Sequence, residues 1–506
     1  MRRPAVLAFA HALAFIQVAP IAACGDASRK TVTLWVEHAH ARAVGAGAAP
    51  NGGDGADTAD TADGPNAADT AGTATTLTDI TTTADTHDRD TDSPSDTGPA
   101  PDDVTAALHP ATYPRDRIHS PITPFIVRRL QAIRGLDPDL ADDVFMKVGA
   151  STTASASFLK CFATSAVDLG AYTHLQPTLD TFLAGDADGT DPFSRKTLAA
   201  ESGVSASWAI AGDPSPLEAE YLAIGPTIAF VHYGTNDMGM GSTYESALWG
   251  FAENLWTLTD DLLSWGVVPV LGTIARRLDS AAADAWVPTY NHIVAGLAEG
   301  RQIPLFDAYL AYEPLPNHGI AGDGIHGTTY SGGACKFTHQ GLAYALNVRN
   351  LETLVALERL GAAMRDGEAL DPPGDPVTGV GIVDDPIVIA ALPFSDLRST
   401  DQATSDAFDR YDGCDASADE SGPEFVYTLT LAAPTRIRAI VADRDGVDID
   451  LHLLDDSGTA DGCLARAHRL IDADLEPGTY YFVLDTFVSQ GVPQAGEYLF
   501  AVFANP

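Results

Sequence analysis

The sequence predicts an α/β domain built on a mostly parallel sheet, followed by a small all-β sandwich. Three observations predict this order. Across residues 104–364, apolar runs of strand type alternate with longer segments of helical period, as where crossover helices join parallel strands. Residues 367–384 are rich in Pro, Gly and Asp and read as a linker. Beyond them, strand-like runs at 425–431, 435–441, 447–454, 479–484 and 497–503 follow one another through turn residues without a helical segment, the pattern of a β-sandwich.

In the α/β region, residues 144–148 read as a strand that ends in Gly149-Ala150-Ser151 before a helix-like stretch to Phe162. Residues 227–233 form a second strand. Leu248, Phe251, Leu255, Leu258, Leu262 and Trp265 recur at spacings of three or four, which predicts an amphipathic helix over 244–265. Residues 267–271 and 303–306 are short strands, and 338–364 a long closing helix. Such sheets bind ligands beyond the carboxyl ends of their strands, so polar residues there are the candidates for chemistry. In the sandwich, residues 447–453 alternate apolar and polar, as on a strand with one buried face and with Asp448 and Asp450 on its polar face.

The chain has 506 residues, 69 Asp+Glu against 29 Lys+Arg, and a formal net charge of −40. Such a charge repels phosphate backbones and anionic lipid heads, which excludes a nucleic-acid binder or a basic membrane-surface protein. Much of it lies outside the α/β region: residues 51–103 hold 13 Asp against one Arg, and residues 366–506 hold 27 acidic against 7 basic residues. At the N-terminus, Arg2 and Arg3 precede an apolar stretch and Ile21-Ala22-Ala23-Cys24. The layout is that of a secretory signal, and its last four residues resemble the bacterial lipobox, in which the Cys is lipidated. Cleavage by an ordinary signal peptidase is the alternative, and either outcome exports the protein. Residues 45–103 use little beyond Ala, Gly, Thr, Asp, Asn and Pro, too little apolar surface to offset the entropy of ordering. The expected organisation is a signal peptide with lipobox over 1–24, an acidic disordered linker over 25–105, the α/β domain over 106–366, the short linker over 367–384 and the sandwich over 385–506.

Three segments could carry chemistry. Gly149-Ala150-Ser151-Thr152 leaves a hydroxyl at a strand-to-helix turn, Gly234-Thr235-Asn236-Asp237 sets an amide at the end of another strand, and Asp323-Gly324-Ile325-His326 places a carboxylate three residues before an imidazole. A serine needs a base to take its proton, and the base works best when a carboxylate holds its tautomer. Ser151, His326 and Asp323 fill these roles, and Asn236 can donate to the oxyanion. His174, His232, His318 and His339 compete for the base, but none has a carboxylate three residues earlier at a loop-to-helix boundary.

In this order the segments resemble the SGNH (GDSL) hydrolases, over about residues 142–357. The resemblance implies a flavodoxin-like three-layer α/β/α domain, an ester-cleaving activity without cofactor, and a block-two glycine at Gly203, whose N–H joins Ser151 and Asn236 at the oxyanion. One departure stands out: Ala150 occupies the position where the family has Asp in Gly-Asp-Ser. Residues 384–506, with Pro477-Gly478-Thr479-Tyr480-Tyr481 and Ala495-Gly496-Glu497-Tyr498, resemble the bacterial pre-peptidase C-terminal domain.

Exported thiols tend to pair. With Cys24 set aside, one bridge within each region is expected, Cys161 with Cys335 and Cys414 with Cys463, the first tying the nucleophile helix to the loop of the base. Asp443, Asp445, Asp448 and Asp450 lack the loop spacing and closing Glu of an EF-hand, so no metal is expected. The expectation is an exported, lipid-anchored serine esterase acting on a small-molecule, glycan or lipid ester, without nucleic-acid partners and touching membrane only through its anchor. Its rivals are an O-acyltransferase using the same site and a non-catalytic surface-binding protein.

Overall fold

A computed structural model describes residues 33–34, 108–414 and 418–505. The expected signal peptide, Cys24 and nearly all of the acidic linker lie outside the described residues. Among the described residues, no helix is long and apolar enough to cross a membrane.

The α/β domain opens with α1 (Pro124–Arg134). Thr123 caps it by accepting from the Ile126 N–H, and Pro124 occupies its first turn, where a missing N–H costs nothing. Four parallel strands follow: β1 (Ala141–Gly149), β2 (Pro226–His232), β3 (Val268–Gly272) and β4 (Leu305–Phe306), in the sheet order β1-β2-β3-β4. Between β1 and β2 lie α2 (Ser151–Ala154) and α3 (Pro216–Ile224); α4 (Tyr244–Ser264) joins β2 to β3, α5 (Val287–Arg301) joins β3 to β4, and α6 (Ala345–Met364) closes the domain. Right-handed crossovers set α3, α4 and α5 on one face of the sheet. On the other side α1 and α6 pack on each other, and a helix over Gln176–Ala184 packs on β1 and α6. This is the expected three-layer α/β/α arrangement. The predicted stripe on α4 is buried, and a capping box fixes its start, with Thr243 and Ser246 exchanging side-chain-to-backbone bonds of 2.9 and 3.0 Å.

Two expected helices are shorter. The stretch from Ser151 to Phe162 is helical only to Ala154, because Ser155 leaves the helical backbone at ψ 139°, and Leu159, at φ 64°, then heads a separate 3-10 turn, Lys160–Ala163. The closing helix starts at Ala345 after a separate 3-10 turn, Gly341–Ala343.

The sandwich has nine principal strands: β5 (Ile387–Ile389), β6 (Phe394–Ser399), β7 (Phe425–Leu431), β8 (Thr435–Asp443), β9 (Ile449–Leu454), β10 (Cys463–Ala467), β11 (Leu470–Leu475), β12 (Gly478–Thr486) and β13 (Glu497–Ala504). One sheet runs β11-β8-β13-β6, extended at its β11 edge by the two residues Thr33–Leu34; the other runs β10-β9-β12-β7-β5. All pairs are antiparallel except β5 with β7. Tyr427, Leu451, Phe482, Tyr498 and Phe500 fill the space between the sheets.

The alternation in β9 is present, but its polar face is not solvent-facing. Asp450 and His452 are buried, because the chain before β7 folds over them: Tyr411 stacks on His452 at 3.5 Å, and Arg466 pairs with both Asp450 and Glu420. Asp443, Asp448 and His468 bring three ligand-type atoms within 4.8 Å. Arg469 pairs with Asp443 at 2.8 Å and His468 with Asp448 at 3.1 Å, while Asp445 is exposed on the adjoining turn.

The sandwich packs directly on α5. A Cβ on Gly296 would stand 2.9 Å from Leu499 Cδ1, and one on Gly300 would overlap Leu397, so this pair of glycines one turn apart lets β6 and β13 close on the helix. Arg301 pairs with Asp260 on α4 and Glu497 on β13, both at 2.8 Å. His292 stacks on Phe503 at 3.9 Å.

Candidate active site

The site lies at the carboxyl ends of β1 and β2. Gly149 ends β1 where a Cβ would meet the Thr153 side chain and stand 2.8 Å from the His232 carbonyl, so glycine is required for the chain to turn into α2. Thr153 and Ala154 donate to the Ala150 carbonyl at 3.0 and 2.9 Å. The Ser151 N–H, at the head of this turn, has no intrahelical partner. Beneath it, Thr152 Oγ1 lies 3.3 Å from His232 Nδ1 while His232 Nε2–H donates to the Thr273 carbonyl at 3.0 Å. Burial, reinforced by the Arg349 cation, pushes the His232 imidazole down to about 3, which keeps it neutral. Arg349 itself is buried on α6, donates to Thr153 Oγ1 at 3.0 Å and lies 3.9 Å over the Phe158 ring.

Ser151 Oγ is 2.9 Å from His326 Nε2, and His326 Nδ1 is 2.7 Å from Asp323 Oδ2. With Nδ1 protonated, Nε2 is left to accept the serine proton. The other oxygen of Asp323 accepts from the Ile325 and His326 backbone N–H groups, both at 3.0 Å. These two bonds, then the imidazole, hold the carboxyl down at about 2. The pair is open to solvent, His326 by 46% and Asp323 by 51% of their side-chain surfaces, so water reaches the base directly.

Asn236 stands across from this pair. Its Nδ2 donates one hydrogen to the Val204 carbonyl at 2.8 Å, which leaves the second for a ligand. Asp237, buried, accepts from the Gly234 N–H at 2.9 Å and the Ala206 N–H at 2.8 Å and so ties the Asn236 loop to the loop of Gly203. Ala150, Ser151, Thr152, His232, Asn236 and His326 are among the residues that line a cavity of about 20 Å³.

Ser151, Asn236 and the Asp323–His326 pair are thus brought together from three points of the chain. Gly203 is not among the residues lining the cavity: it is exposed at φ 83°, in the loop that follows the Gly149–Ala200 bridge, and it reaches the site through its neighbour Val204. Of the rival histidines, His318 pairs with Glu313 at 2.7 Å and His174 packs near Tyr172, while His339 sits in the segment before α6. Cys161 is bonded to Cys335 and Cys414 to Cys463. The first bridge joins the 3-10 turn beyond α2, rather than α2 itself, to the loop after His326. Asn350 clamps the same two segments, accepting from the Leu159 N–H at 3.0 Å and donating to the Ala334 carbonyl at 3.1 Å. Asp237 and Thr152 sit within two of the three motifs, but local spacing gives no role to either, nor to Arg349, Asn350 or Arg277.

No family model and no curated protein matches the chain. Among solved structures, the chain is similar to a GDSL-like lipase from Bacteroides thetaiotaomicron, at 12% identity over 46% of this chain and 97% of that one, with a TM-score of 0.28. It is also similar to a variant of Axe2, an acetyl xylan esterase from Geobacillus stearothermophilus, at 14% identity over 42% and 93%, with a TM-score of 0.29. A third is the pre-peptidase C-terminal domain of a collagenase from Bacillus anthracis, at 16% identity over 22% and 89%, with a TM-score of 0.15.

Proposed function

We propose that the protein is an exported serine esterase. One observation carries the proposal: the continuous hydrogen-bond path Ser151–His326–Asp323, at 2.9 and 2.7 Å, beyond the ends of parallel strands. Ser151 attacks the ester carbonyl as His326 Nε2 takes its proton, and Asp323 holds the Nδ1–H and offsets the imidazolium charge. The Ser151 N–H and the second Asn236 amide hydrogen stabilise the oxyanion, with the Gly203 loop supporting Asn236; one such donor is worth ~10²–10³ in rate. His326 then protonates the leaving alcohol, and a water deprotonated by the same nitrogen frees the acyl group from Ser151.

The openness of His326 favours water over a sugar hydroxyl as the acceptor, hence hydrolysis over acyl transfer. The cavity beside Ser151, at about 20 Å³, is only a little larger than the ~10–15 Å³ that holds one water, which suits the methyl of an acetyl ester better than a long acyl chain. Two disulfides suit an oxidising compartment outside the cytosol, and the N-terminal signal supports export, with Cys24 as the lipid-anchor position. The test is hydrolysis of p-nitrophenyl acetate, butyrate and octanoate by wild type and Ser151→Ala. Acetate should be cleaved fastest and Ser151→Ala should lose at least a hundredfold; equal rates in the two proteins rule out an esterase at this site.

A further inference from the structure

The two halves of the proposed machinery sit on separate loops: Thr235 and Asn236 after β2, and Asp323 to His326 before α6. Among the described residues, the hydrogen bonds that connect these two loops to each other pass through a third, between β3 and α5. Arg277 Nη1 donates to the Thr235 carbonyl at 3.0 Å. Its Nε and Nη2 donate to the two oxygens of Asp279, each at 2.8 Å, and the Asp279 N–H donates to the Gly324 carbonyl at 3.2 Å. The approach to the base loop is so close that a Cβ on Gly324, which has φ 77°, would stand 2.5 Å from the Asp279 nitrogen. The third loop is itself anchored. Asp284 accepts from the Arg277 N–H and from Arg276, both at 2.9 Å, and Arg276 pairs with Glu313 at 2.7 Å.

We infer that Arg277 is a positioning residue for the reaction proposed above, a strut that sets the spacing between the Asn236 amide and the His326 imidazole. Its side chain is only 14% exposed and lines no part of the cavity, so it acts through Thr235 and Gly324 rather than on the substrate. The task needs a planar fork with donors pointing two ways: two bonds lock Asp279, and the remaining nitrogen reaches Thr235. A lysine ammonium is a single point on a flexible stem and cannot reproduce that geometry. The bidentate pair also neutralises Asp279, whose carboxylate and that of Asp323 repel one another, so Asp279 is a fixed partner of Arg277 instead of a free charge beside the base.

The inference rests on the esterase proposal, and the experiment separates the two. Ester hydrolysis by wild type, Arg277→Lys, Arg277→Gln, Arg277→Ala and Asp279→Asn is measured as kcat per serine titrated with a fluorophosphonate, so that misfolded molecules are not counted, and hydrolysis by Ser151→Ala is measured per total protein as the blank. A displacement of about 1 Å between reacting groups costs up to ~10² in rate. Arg277→Gln and Arg277→Lys should therefore lose about ten- to a hundredfold in kcat, with KM within about twofold of wild type. Asp279→Asn, which keeps its N–H to Gly324, should lose less. Added methylguanidine should restore part of the kcat of Arg277→Ala and leave wild type unchanged, a response that a merely structural role does not produce. If wild type shows Ser151-dependent turnover but Arg277→Gln keeps wild-type kcat per titrated serine and methylguanidine has no effect, the strut is refuted and the esterase stands. If wild type shows no Ser151-dependent turnover, both fall.

Discussion

Asp323→Asn should separate orientation of the base from the fold of its loop. Asp323 accepts three hydrogen bonds, and two of them, from the Ile325 and His326 backbone, go to one oxygen, which the asparagine carbonyl reproduces. Only the third changes: opposite His326 Nδ1 an amide NH₂ replaces a carboxylate oxygen, so Nδ1 must accept and Nε2 carries the hydrogen that faces Ser151. The base is then in the wrong tautomer. In serine hydrolases with a buried aspartate this exchange costs ~10⁴ in kcat. Here Asp323 and His326 are about half exposed, water competes for the same positions, and a loss of ~10²–10³ is expected, with KM little changed. Stability should move by no more than about 0.5 kcal/mol, as for other surface substitutions. The assay is p-nitrophenyl acetate turnover with a thermal melt on the same samples. A kcat within threefold of wild type, with Ser151→Ala inactive, would refute Asp323 as the group that orients His326. The acid side carries a related expectation. Because the Asp323 carboxyl is held down at about 2, its contribution is present above the ordinary carboxylate value and is lost only as pH falls through about 2. The rate profile of wild type should show no titration step near pH 4 that Asp323→Asn removes.

Three further outcomes are expected. Replacing both Cys161 and Cys335 by Ser opens a loop with a sequence separation of 174, worth about 5 kcal/mol in the chain-entropy model, so the melting temperature should fall clearly; an unchanged melt contradicts that assignment. In the sandwich, burial and the neighbouring Asp450 push the Glu420 carboxyl up to about 8. A raised folded value means stability that is full below the ordinary carboxyl range and is lost as pH rises through about 8, so unfolding at pH 5 should require more denaturant than at pH 9, and Glu420→Gln should flatten the difference. Gly300→Leu should push Leu397 off α5 and expose the contact between the α/β domain and the sandwich, read as faster proteolysis or a separate low-temperature transition.

What could be read in the sequence was what local spacing encodes. The stripe from Leu248 to Leu262 marked α4, the apolar runs at 144–148 and 227–233 marked β1 and β2, and three short motifs in order marked Ser151, Asn236 and the Asp323–His326 pair. Features set by contacts far along the chain were not legible. Nothing between Ser151 and Phe162 signals that Ser155 leaves the helical backbone and that Leu159 then turns left-handed. Alternation in β9 gave the two faces but not which was wet, because the covering segment with Tyr411 and Glu420 comes from elsewhere. Arg277 is an ordinary arginine after a strand until the fold brings Thr235 and Gly324 to either side of it, 42 residues before it in the chain in the case of Thr235.

The most direct test is covalent. A fluorophosphonate should phosphonylate Ser151, found by peptide mass mapping; the adduct should be absent in Ser151→Ala and form at least a hundredfold more slowly in His326→Ala. Labelling at another residue, or labelling of Ser151 at an undiminished rate in His326→Ala, would contradict a Ser151 nucleophile activated by His326.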